Sequence, residues 1–378
     1  MLKMKIVVIS DSFKGSLSSG EIVDIFNNVR DEHFKEIKIS SFPVADGGEG
    51  TVSSFASFQK GKIISLKVHD SFFNIIDAHY FINNKNEAII EIASSSALTQ
   101  VGDKKDPSKT STYGIGEQIY DAIKKGIKKI YIGLGGSSTN DMATGAACAL
   151  GTKFSDKNKR EFIPTGGTLI DIADFDISKT KELLKDVEII CLSDVNNPTF
   201  GLNGAAYVYA RQKGADDDMI KQLDDGLIHL SKLIKEKTNI DVSCLRSGGA
   251  AGAFGAGAYV FFNALIQPGI DTILKLFNFE KEVEDADYIF TGEGKIDKQT
   301  LYGKTIFGIA QIAKKHNVPI IAIAGSIDDD IKEKDLKEHG IIKQIAISKG
   351  YDIDYSMKNA KKLYKQCLIS LLKELKKS

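Results

Sequence analysis

Short apolar runs alternate along the chain with longer amphipathic stretches. The short runs are rich in Ile and Val, end at Gly, Asp, Asn or Ser, and predict strands at 4–10, 36–42, 87–93, 128–134, 187–192, 287–291, 318–324 and 343–348. The longer stretches have helical periodicity and predict helices at 21–33, 116–125, 139–150, 217–235, 303–315 and 356–376. Strands that are apolar on both faces and alternate with helices are typical of an α/β fold with mainly parallel sheets.

The order of these elements predicts a discontinuous first domain. The 378 residues are too many for one ordinary hydrophobic core. The runs near the carboxyl terminus have the same uninterrupted apolar character as the first run, whereas 62–83 reads as successive strands without a helix. We therefore predict one domain from 1–65 plus 285–378 and an inserted α/β domain from 66–284. Ser18 and Glu21 have the spacing of a capping box, which favours a helix start beside them.

The overall composition narrows the class of protein. The chain has 50 basic residues (Lys and Arg) and 50 acidic residues (Asp and Glu), so its formal net charge is zero. This balance favours neither nucleic acid nor an anionic membrane as a partner. The four cysteines are widely spaced, and the short apolar run before Asp11 does not have the pattern of a signal peptide, so we expect a cytoplasmic protein. The uncharged stretch 247–270 is crowded with glycine and is interpreted as a loop entering a buried helix. The sequence leaves the oligomeric state of the protein open.

Two loops near the amino terminus carry candidate chemistry. Asp11-Ser12-Phe13-Lys14-Gly15-Ser16 follows the first predicted strand, where parallel sheets bind ligands. An ordinary capped loop explains it about as well, and a dehalogenase-type phosphatase would need a second Asp at position 13. Ala45-Asp46-Gly47-Gly48-Glu49-Gly50-Thr51 follows the second strand. Its glycines allow close approach of a ligand, and Asp46 and Glu49 suit Mg²⁺ or a hydroxyl proton.

The central loop contains Gly135, Gly136, Ser137 and Ser138 and ends at Asn140-Asp141. It lies between a predicted strand and a predicted helix, where backbone amides favour a phosphate. It is not a dinucleotide-binding fingerprint, because Ser138 stands where the last glycine is needed.

Two further loops complete the set. Ser193-Asp194-Val195-Asn196-Asn197-Pro198 follows a strand and could be an ordinary turn. Thr291-Gly292-Glu293-Gly294-Lys295-Ile296-Asp297 is followed by Gly303-Lys304-Thr305, which lacks the earlier glycine of a P-loop. The histidines lie outside all five loops. Asp, Glu, Lys and glycine amides without His or Cys are what phosphoryl transfer from a magnesium nucleotide requires.

In this order, the loops resemble the glycerate 2-kinase family of bacterial glycerate catabolism. The resemblance covers nearly the whole chain and includes motifs outside the five loops: Gln212-Lys213-Gly214-Ala215, Gly248-Gly249-Ala250-Ala251-Gly252 and Gln267-Pro268-Gly269-Ile270. The chain departs from the family pattern at Met142, Ala143 and Ala253, where glycines are usual, and none of these changes removes an ionisable group.

The resemblance implies two α/β domains, one flavodoxin-like and one with a restriction-enzyme-like core, with the active site between them. It implies that ATP and D-glycerate give ADP and 2-phosphoglycerate with Mg²⁺. A nucleotide-binding regulator without catalysis, a kinase of a related hydroxy acid, a kinase giving 3-phosphoglycerate, and a hydrolase are the alternatives. One assay of ADP release with and without D-glycerate would separate kinase, regulator and hydrolase.

Roles are assigned to the residues on this basis. For the catalytic base we favour Asp194, with Asp46 second, because each ends a predicted strand. Lys14 and Lys304 are the best cations, since both stand in glycine-containing motifs rather than on charged helix faces. The remaining assignments are substrate binding by Asp11, Ser12 and Asn197, phosphate binding by Gly135, Gly136, Ser137, Ser138, Gly248 and Gly249, and Mg²⁺ binding by Glu293, Asp297 and Glu49.

Overall fold

The computed structural model describes residues 4–13, 15–44, 48, 50–297 and 305–377. Its strands are β1 Lys5–Ser10, β2 Lys38–Pro43, β3 Gly61–His69, β4 Ile75–Asn83, β5 Glu87–Glu91, β6 Lys129–Gly133, β7 Lys153–Ser155, β8 Glu161–Phe162, β9 Asp174–Asp176, β10 Glu188–Leu192, β11 Leu265–Gln267, β12 Tyr288–Thr291, β13 Lys295–Ile296, β14 Ile320–Ala324, β15 Ser326–Ile327 and β16 Ile341–Ala346.

Its helices are α1 Ser19–His33, α2 Thr51–Phe58, α3 Ala93–Ser96, α4 Tyr113–Lys124, α5 Thr144–Ala149, α6 Ser178–Leu184, α7 Ala205–Tyr209, α8 Asp217–Thr238, α9 Ala250–Phe261, α10 Gly269–Leu276, α11 Phe279–Val283, α12 Thr305–His316, α13 Glu333–Glu338, α14 Ile353–Lys358 and α15 Ala360–Leu375. Contacts between Cα atoms divide the chain into a first unit, 1–46 with 270–378, and a second unit, 47–269. The division falls at 46/47 and 269/270, whereas 65/66 and 284/285 were predicted. That each unit is an independent domain stays a prediction.

The first unit contains a five-stranded parallel sheet in the order β2-β1-β12-β14-β16. Counting only this unit's sheet strands, the order is 2-1-3-4-5, which is the flavodoxin-like order. β1 and β14 are buried along their whole length, which explains why their sequences read as unbroken apolar runs. The predicted α/β fold with a flavodoxin-like unit is confirmed.

The second unit is built on a six-stranded mixed sheet in the order β11-β10-β6-β5-β4-β3. β5, β6, β10 and β11 are parallel, while β3 and β4 form an antiparallel hairpin. This hairpin is the helix-free region predicted at 62–83. A second α/β unit is thereby confirmed; its likeness to restriction-enzyme cores stays a prediction.

Several predicted boundaries change for local reasons. The capping box of α1 is present: the Glu21 amide donates to Ser18 Oγ and the Ser18 amide donates to Glu21 Oε2. The helix predicted at 139–150 begins only at Thr144, because Met142 and Ala143 have left-handed backbones. The helix predicted at 356–376 is divided at Asn359 into α14 and α15.

The uncharged stretch 247–270 forms the buried helix α9 and the short strand β11. Among the described residues, no helix is both long enough and apolar enough to cross a bilayer.

Candidate functional site

In the first unit, the predicted site residues lie at the carboxyl edge of the parallel sheet. The strand order reverses between β1 and β12, and in open α/β sheets ligands bind at such a point. The loops after these two strands are joined by the Asp11 amide, which donates to the Gly292 carbonyl at 2.9 Å. Asp11 and Ser12 follow β1, and Glu293 and Asp297 follow β12; all four are half-buried.

Four further predicted site residues come from the loops around positions 14, 46–49 and 304. Lys14, Asp46, Glu49 and Lys304 lie outside the described residues. Next to two of them, the Val52 amide in the first turn of α2 donates to Glu91 Oε2 at 3.2 Å. The buried Glu91 ends β5 and ties α2 to the sheet. Glu91 was not among the predicted site residues, although a carboxylate at the end of a buried strand was the available signal in the sequence.

In the second unit, Asp194 and the central loop lie at the same edge of the sheet. Both follow parallel strands, and the Leu134 amide donates to the Leu192 carbonyl at 3.2 Å. Asp194 is half-buried, and its Oδ1 accepts the Gly269 amide at 2.8 Å. A charge-assisted hydrogen bond from a backbone amide orients this carboxylate.

The central loop is anchored through its serines. The Ser138 amide and hydroxyl both donate to the Ser96 carbonyl, at 2.9 and 3.0 Å, and Ser137 is buried. Gly136 has a φ of 77° and is exposed. The two serine hydroxyls therefore hold the loop, and its glycines form the accessible part.

The helix predicted at 139–150 would have placed an anion site at its start. The observed helix α5 does not offer that site. The Gly145 amide in its first turn donates to Asp141 Oδ2 at 3.2 Å. The carboxylate of the loop itself thus occupies this position. Phosphate binding by the loop stays a prediction and depends on Gly135 and Gly136 rather than on a helix terminus.

Lys213 lies beneath this loop and was given no role by the sequence analysis. It is 3% exposed, and its Nζ donates to Ser137 Oγ at 2.9 Å and to the Thr139 carbonyl at 2.7 Å. Burial lowers the pKa of Lys213 to about 7, and the negative charge of Asp141 opposes this shift. The signal in the sequence was a lysine enclosed in Gln212-Lys213-Gly214-Ala215, where Gly214 has a φ of 101°.

Asp141 is the second buried charge of this loop. Its Oδ2 accepts the Thr112 amide and the Thr112 hydroxyl, each at 2.8 Å. Burial raises the pKa of Asp141, and these hydrogen bonds act in the opposite direction. Within the described part of the chain, Asp141 Oδ1, Thr139 Oγ1 and both polar atoms of the Asn140 amide have no hydrogen-bond partner. Such buried atoms are rare and mark a strained or functional interior.

Asn197 and the second glycine pair hold one another in place. The Asn197 side chain donates to the Asn203 carbonyl at 2.8 Å and accepts from the Tyr209 hydroxyl at 2.6 Å. The backbone carbonyl of Asn197 accepts the Gly249 amide at 3.0 Å. A Cβ on Gly249 would lie 2.3 Å from the Pro198 carbonyl oxygen, and one on Gly248 would lie 2.6 Å from Thr199 Oγ1. Close packing is therefore one established role of both glycines.

The described residues contain no group of three or more His, Cys, Asp or Glu side chains that could hold a metal ion. Mg²⁺ is commonly held by one or two carboxylates together with water and substrate phosphates. The carboxylates of Glu293 and Asp297 have suitable donor atoms for this mode. Metal binding by these two and by Glu49 stays a prediction.

The carboxylates, serines and glycine loops at the carboxyl edges of the two sheets are groups of the kind that a phosphotransferase requires. The sequence profile described as "Glycerate kinase family" matches residues 6–376. The chain belongs to the glycerate kinase family, and its prediction as a kinase is confirmed.

Similar proteins span the same length. A glycerate kinase from Bacillus cereus is 40% identical over 326 residues, covering 86% of each chain. A glycerate 2-kinase from Escherichia coli is 39% identical over 340 residues, covering 89% of each chain. The structure is similar to a provisionally assigned glycerate kinase 2 from Salmonella typhimurium LT2, with a TM-score of 0.84, 35% identity, and coverage of 99% of this chain and 100% of that one.

Proposed function

We propose that this chain transfers the γ-phosphoryl group of ATP to the 2-hydroxyl of D-glycerate, giving 2-phosphoglycerate and ADP. The observation that carries the proposal is the 39% identity, over 89% of each chain, to the Escherichia coli protein named glycerate 2-kinase. The cytoplasm is the proposed location. The four cysteines, all in the described part of the chain, form no disulfide, which suits a reducing compartment.

The reaction needs a base, a cation for the substrate carboxylate, and charge neutralisation. The hydroxyl oxygen attacks the γ-phosphorus, its proton passes to a carboxylate, and the bond from phosphorus to the ADP oxygen breaks. We assign the proton to Asp194, with Asp46 as the alternative. Glycerate binds through Lys304, Asp11, Ser12 and Asn197, with Lys14 as the catalytic cation. Asn197 would act by holding its loop, since both ends of its amide are already engaged.

Glu293, Asp297 and Glu49 would hold Mg²⁺, which offsets the negative charge of the phosphates when bound. For the phosphoryl group we propose the central loop, Gly135, Gly136, Ser137 and Ser138. Gly248 and Gly249 would support phosphate binding through their close packing at the start of α9 rather than by direct contact. The anchoring of Ser137 by Lys213 and of Ser138 by Ser96 favours a preorganised loop.

Phosphorus NMR of the product tests the function. Wild-type protein with ATP, Mg²⁺ and D-glycerate should give the signal of 2-phosphoglycerate together with stoichiometric ADP. The signal of 3-phosphoglycerate would contradict the proposed position of transfer. ADP formation at the same rate without glycerate would contradict the kinase reaction itself.

Asp194→Asn tests the base. Asparagine keeps an oxygen that can accept the Gly269 amide, so the local structure should survive while the proton acceptor is lost. We expect kcat to fall by about 100- to 10,000-fold with little change in the KM for glycerate. The exposed Asp225→Asn on α8 serves as the matched control and should leave kcat unchanged. A near-normal kcat for Asp194→Asn would exclude Asp194 and transfer the test to Asp46→Asn.

A further inference from the structure

A cavity of about 210 Å³ lies at the carboxyl edge of the five-stranded sheet in the first unit. The loops after four of its strands contribute to the lining: Phe13 follows β1, Gly294 follows β12, Ser326 follows β14 and Ser348 follows β16. None of the site residues assigned above that the structure describes lines it. The cavity lies next to the point where the strand order reverses, where this class of sheet binds ligands.

The outer wall of the cavity is apolar and accessible. It is formed by α14, where Ile353 is 75% exposed and Met357 is 45% exposed. Tyr351 and Tyr355, stacked with ring centroids 5.0 Å apart, are also exposed on this segment. Exposed apolar side chains concentrated beside a cavity are typical of a ligand-binding surface.

Glycines allow the loops around the cavity to approach one another. Gly15 has a φ of 82°, and a Cβ there would lie 3.0 Å from Met357 Cε. A Cβ on Gly325 would lie 2.4 Å from the Gly294 carbonyl oxygen, which accepts the Ser326 amide at 3.0 Å. The shape of the cavity is therefore set by backbone as well as by side chains.

The chemistry of the lining selects one class of ligand. The described residues that line the cavity include no charged side chain, so none of them offers a counter-charge to a phosphate or to the carboxylate of a hydroxy acid. Its volume is below the roughly 300 Å³ at which sites for drug-sized ligands begin. Apolar walls with the hydroxyls of Ser326 and Ser348 suit a flat, neutral ring with polar edges.

We propose that this cavity binds the base of the nucleotide donor. The inference rests on the proposed function and extends it, since that function requires ATP but assigns no residue to the adenine. Gly294, which lines the cavity, directly follows Glu293, to which we assign the metal that accompanies the phosphates. The base and the metal-bound phosphates would therefore be held by one loop of the first unit.

The double variant Ile353→Ser with Met357→Ser removes apolar contact from the outer wall without adding charge. The KM for ATP should rise about tenfold, equivalent to about 1.4 kcal/mol of binding. The KM for D-glycerate at saturating ATP, kcat and the melting temperature should change little. Ile63→Ser is the matched control: Ile63 lies on β3 of the second unit and is 52% exposed, and its replacement should change none of these values.

Inorganic tripolyphosphate separates the base from the phosphates. It should compete with ATP equally well in the wild type and in the double variant, because it has no base to place in the cavity. An equal loss of tripolyphosphate and ATP binding would overturn the proposal.

The absence of tryptophan from the sequence provides a direct reporter. In Ile353→Trp, the emission of the single indole should change on addition of ATP and should not change on addition of tripolyphosphate or D-glycerate. Ile63→Trp should respond to none of them. A response of Ile353→Trp to D-glycerate alone would assign the cavity to the acceptor and overturn the proposal.

These measurements distinguish the two proposals. If the wild type transfers no phosphoryl group to glycerate but ATP still alters the emission of Ile353→Trp, the proposed function is wrong and the base site stands. If the wild type phosphorylates glycerate and the KM for ATP is unchanged in the double variant, the function stands and the base site is overturned.

Discussion

At the scale of single residues, the central loop depends on a lysine that the protein keeps out of solvent. Lys213 donates to Ser137 and to the Thr139 carbonyl, and its carbon chain is enclosed by the second unit. Desolvation disfavours the protonated amine, which is why the pKa of Lys213 is lowered from 10.5 to about 7. The anchor of the loop is thus also a titrating group.

Lys213→Met should change how stability depends on pH. Below about pH 7 the amine is protonated in both states, whereas between about pH 7 and 10 the unfolded chain binds the proton and the folded protein does not. The free energy of unfolding therefore gains up to about 1.4 kcal/mol per pH unit as pH rises through this window, and the variant should lack that gain. Denaturant unfolding of both proteins at pH 7 and pH 9 measures the difference. Equal slopes would contradict a lowered pKa.

Ala253 occupies a backbone position that normally favours glycine. Its φ is 64°, within the left-handed turn that Ala251 and Gly252 also form inside α9. Glycine was expected here from the family resemblance, and the backbone of Ala253 has the left-handed conformation that glycine adopts without strain. An L-residue in this region costs about 1–2 kcal/mol.

Ala253→Gly should therefore destabilise the protein by about 1–2 kcal/mol less than Ala256→Gly does. Ala256 is the matched control, since it is equally buried in α9 and has helical dihedrals. Both changes remove one methyl group and add the same freedom to the unfolded chain, so their difference isolates the left-handed strain. Denaturant midpoints measure it, and equal losses would contradict the strain.

At the scale of elements, the start of α9 and the loop after β10 form one packed feature. The Gly249 amide donates to the Asn197 carbonyl, and a Cβ at position 249 would collide with the Pro198 carbonyl oxygen. Position 136, in contrast, is exposed, and its positive φ favours glycine there. The two glycine pairs, which read alike in the sequence, are thus under different constraints.

Gly249→Ala and Gly136→Ala should accordingly fail in different ways. Overpacking at Gly249 should lower the free energy of unfolding by about 1–3 kcal/mol, while the protein that remains folded still binds ATP. Gly136→Ala should lower the free energy of unfolding by about 1 kcal/mol. It should weaken ATP binding by more than this amount of free energy. Circular dichroism melts alongside ATP titration measure both effects. Strong loss of ATP binding by a fully stable Gly249→Ala would show that this glycine serves the ligand instead.

At the scale of the whole molecule, each unit has its own buried cluster. The cluster of the first unit joins residues from both ends of the chain; Phe26 on α1 packs edge-on against Phe290 on β12, with ring centroids 5.0 Å apart. The cluster of the second unit is formed by residues between Tyr80 and Ala264. We expect the two clusters to unfold as separate cooperative units.

Phe26→Ala tests this division, because truncating a fully buried phenylalanine costs about 3–5 kcal/mol. Hydrogen exchange should accelerate together in β1, β12 and β14, although they lie at opposite ends of the chain. Exchange in β5, β6 and β10 should stay unchanged. Uniform acceleration throughout the protein would contradict independent domains.

The sequence by itself determined the main parallel strands and the family. Apolar runs and helical periodicity are local properties, so each predicted strand overlaps an observed one, and Ser18 with Glu21 forms the predicted cap. The position of the site loops at carboxyl strand ends follows from the same alternation. The five loops and the three further motifs, in order, were specific enough to predict the glycerate kinase family, which the profile match confirms.

Only the tertiary structure decided which distant residues meet. The pairing of β1 with β12 aligns Ile6 with Tyr288, and Lys213 reaches Ser137 across 76 positions of sequence. Local periodicity contains no information on such pairs, because they depend on the strand order and on the space between packed elements. The same reason explains why the helix predicted at 139–150 starts late: residues 139–143 are held by Thr112, Lys213 and Gly252 from elsewhere in the chain, so the backbone cannot enter a helix before Thr144.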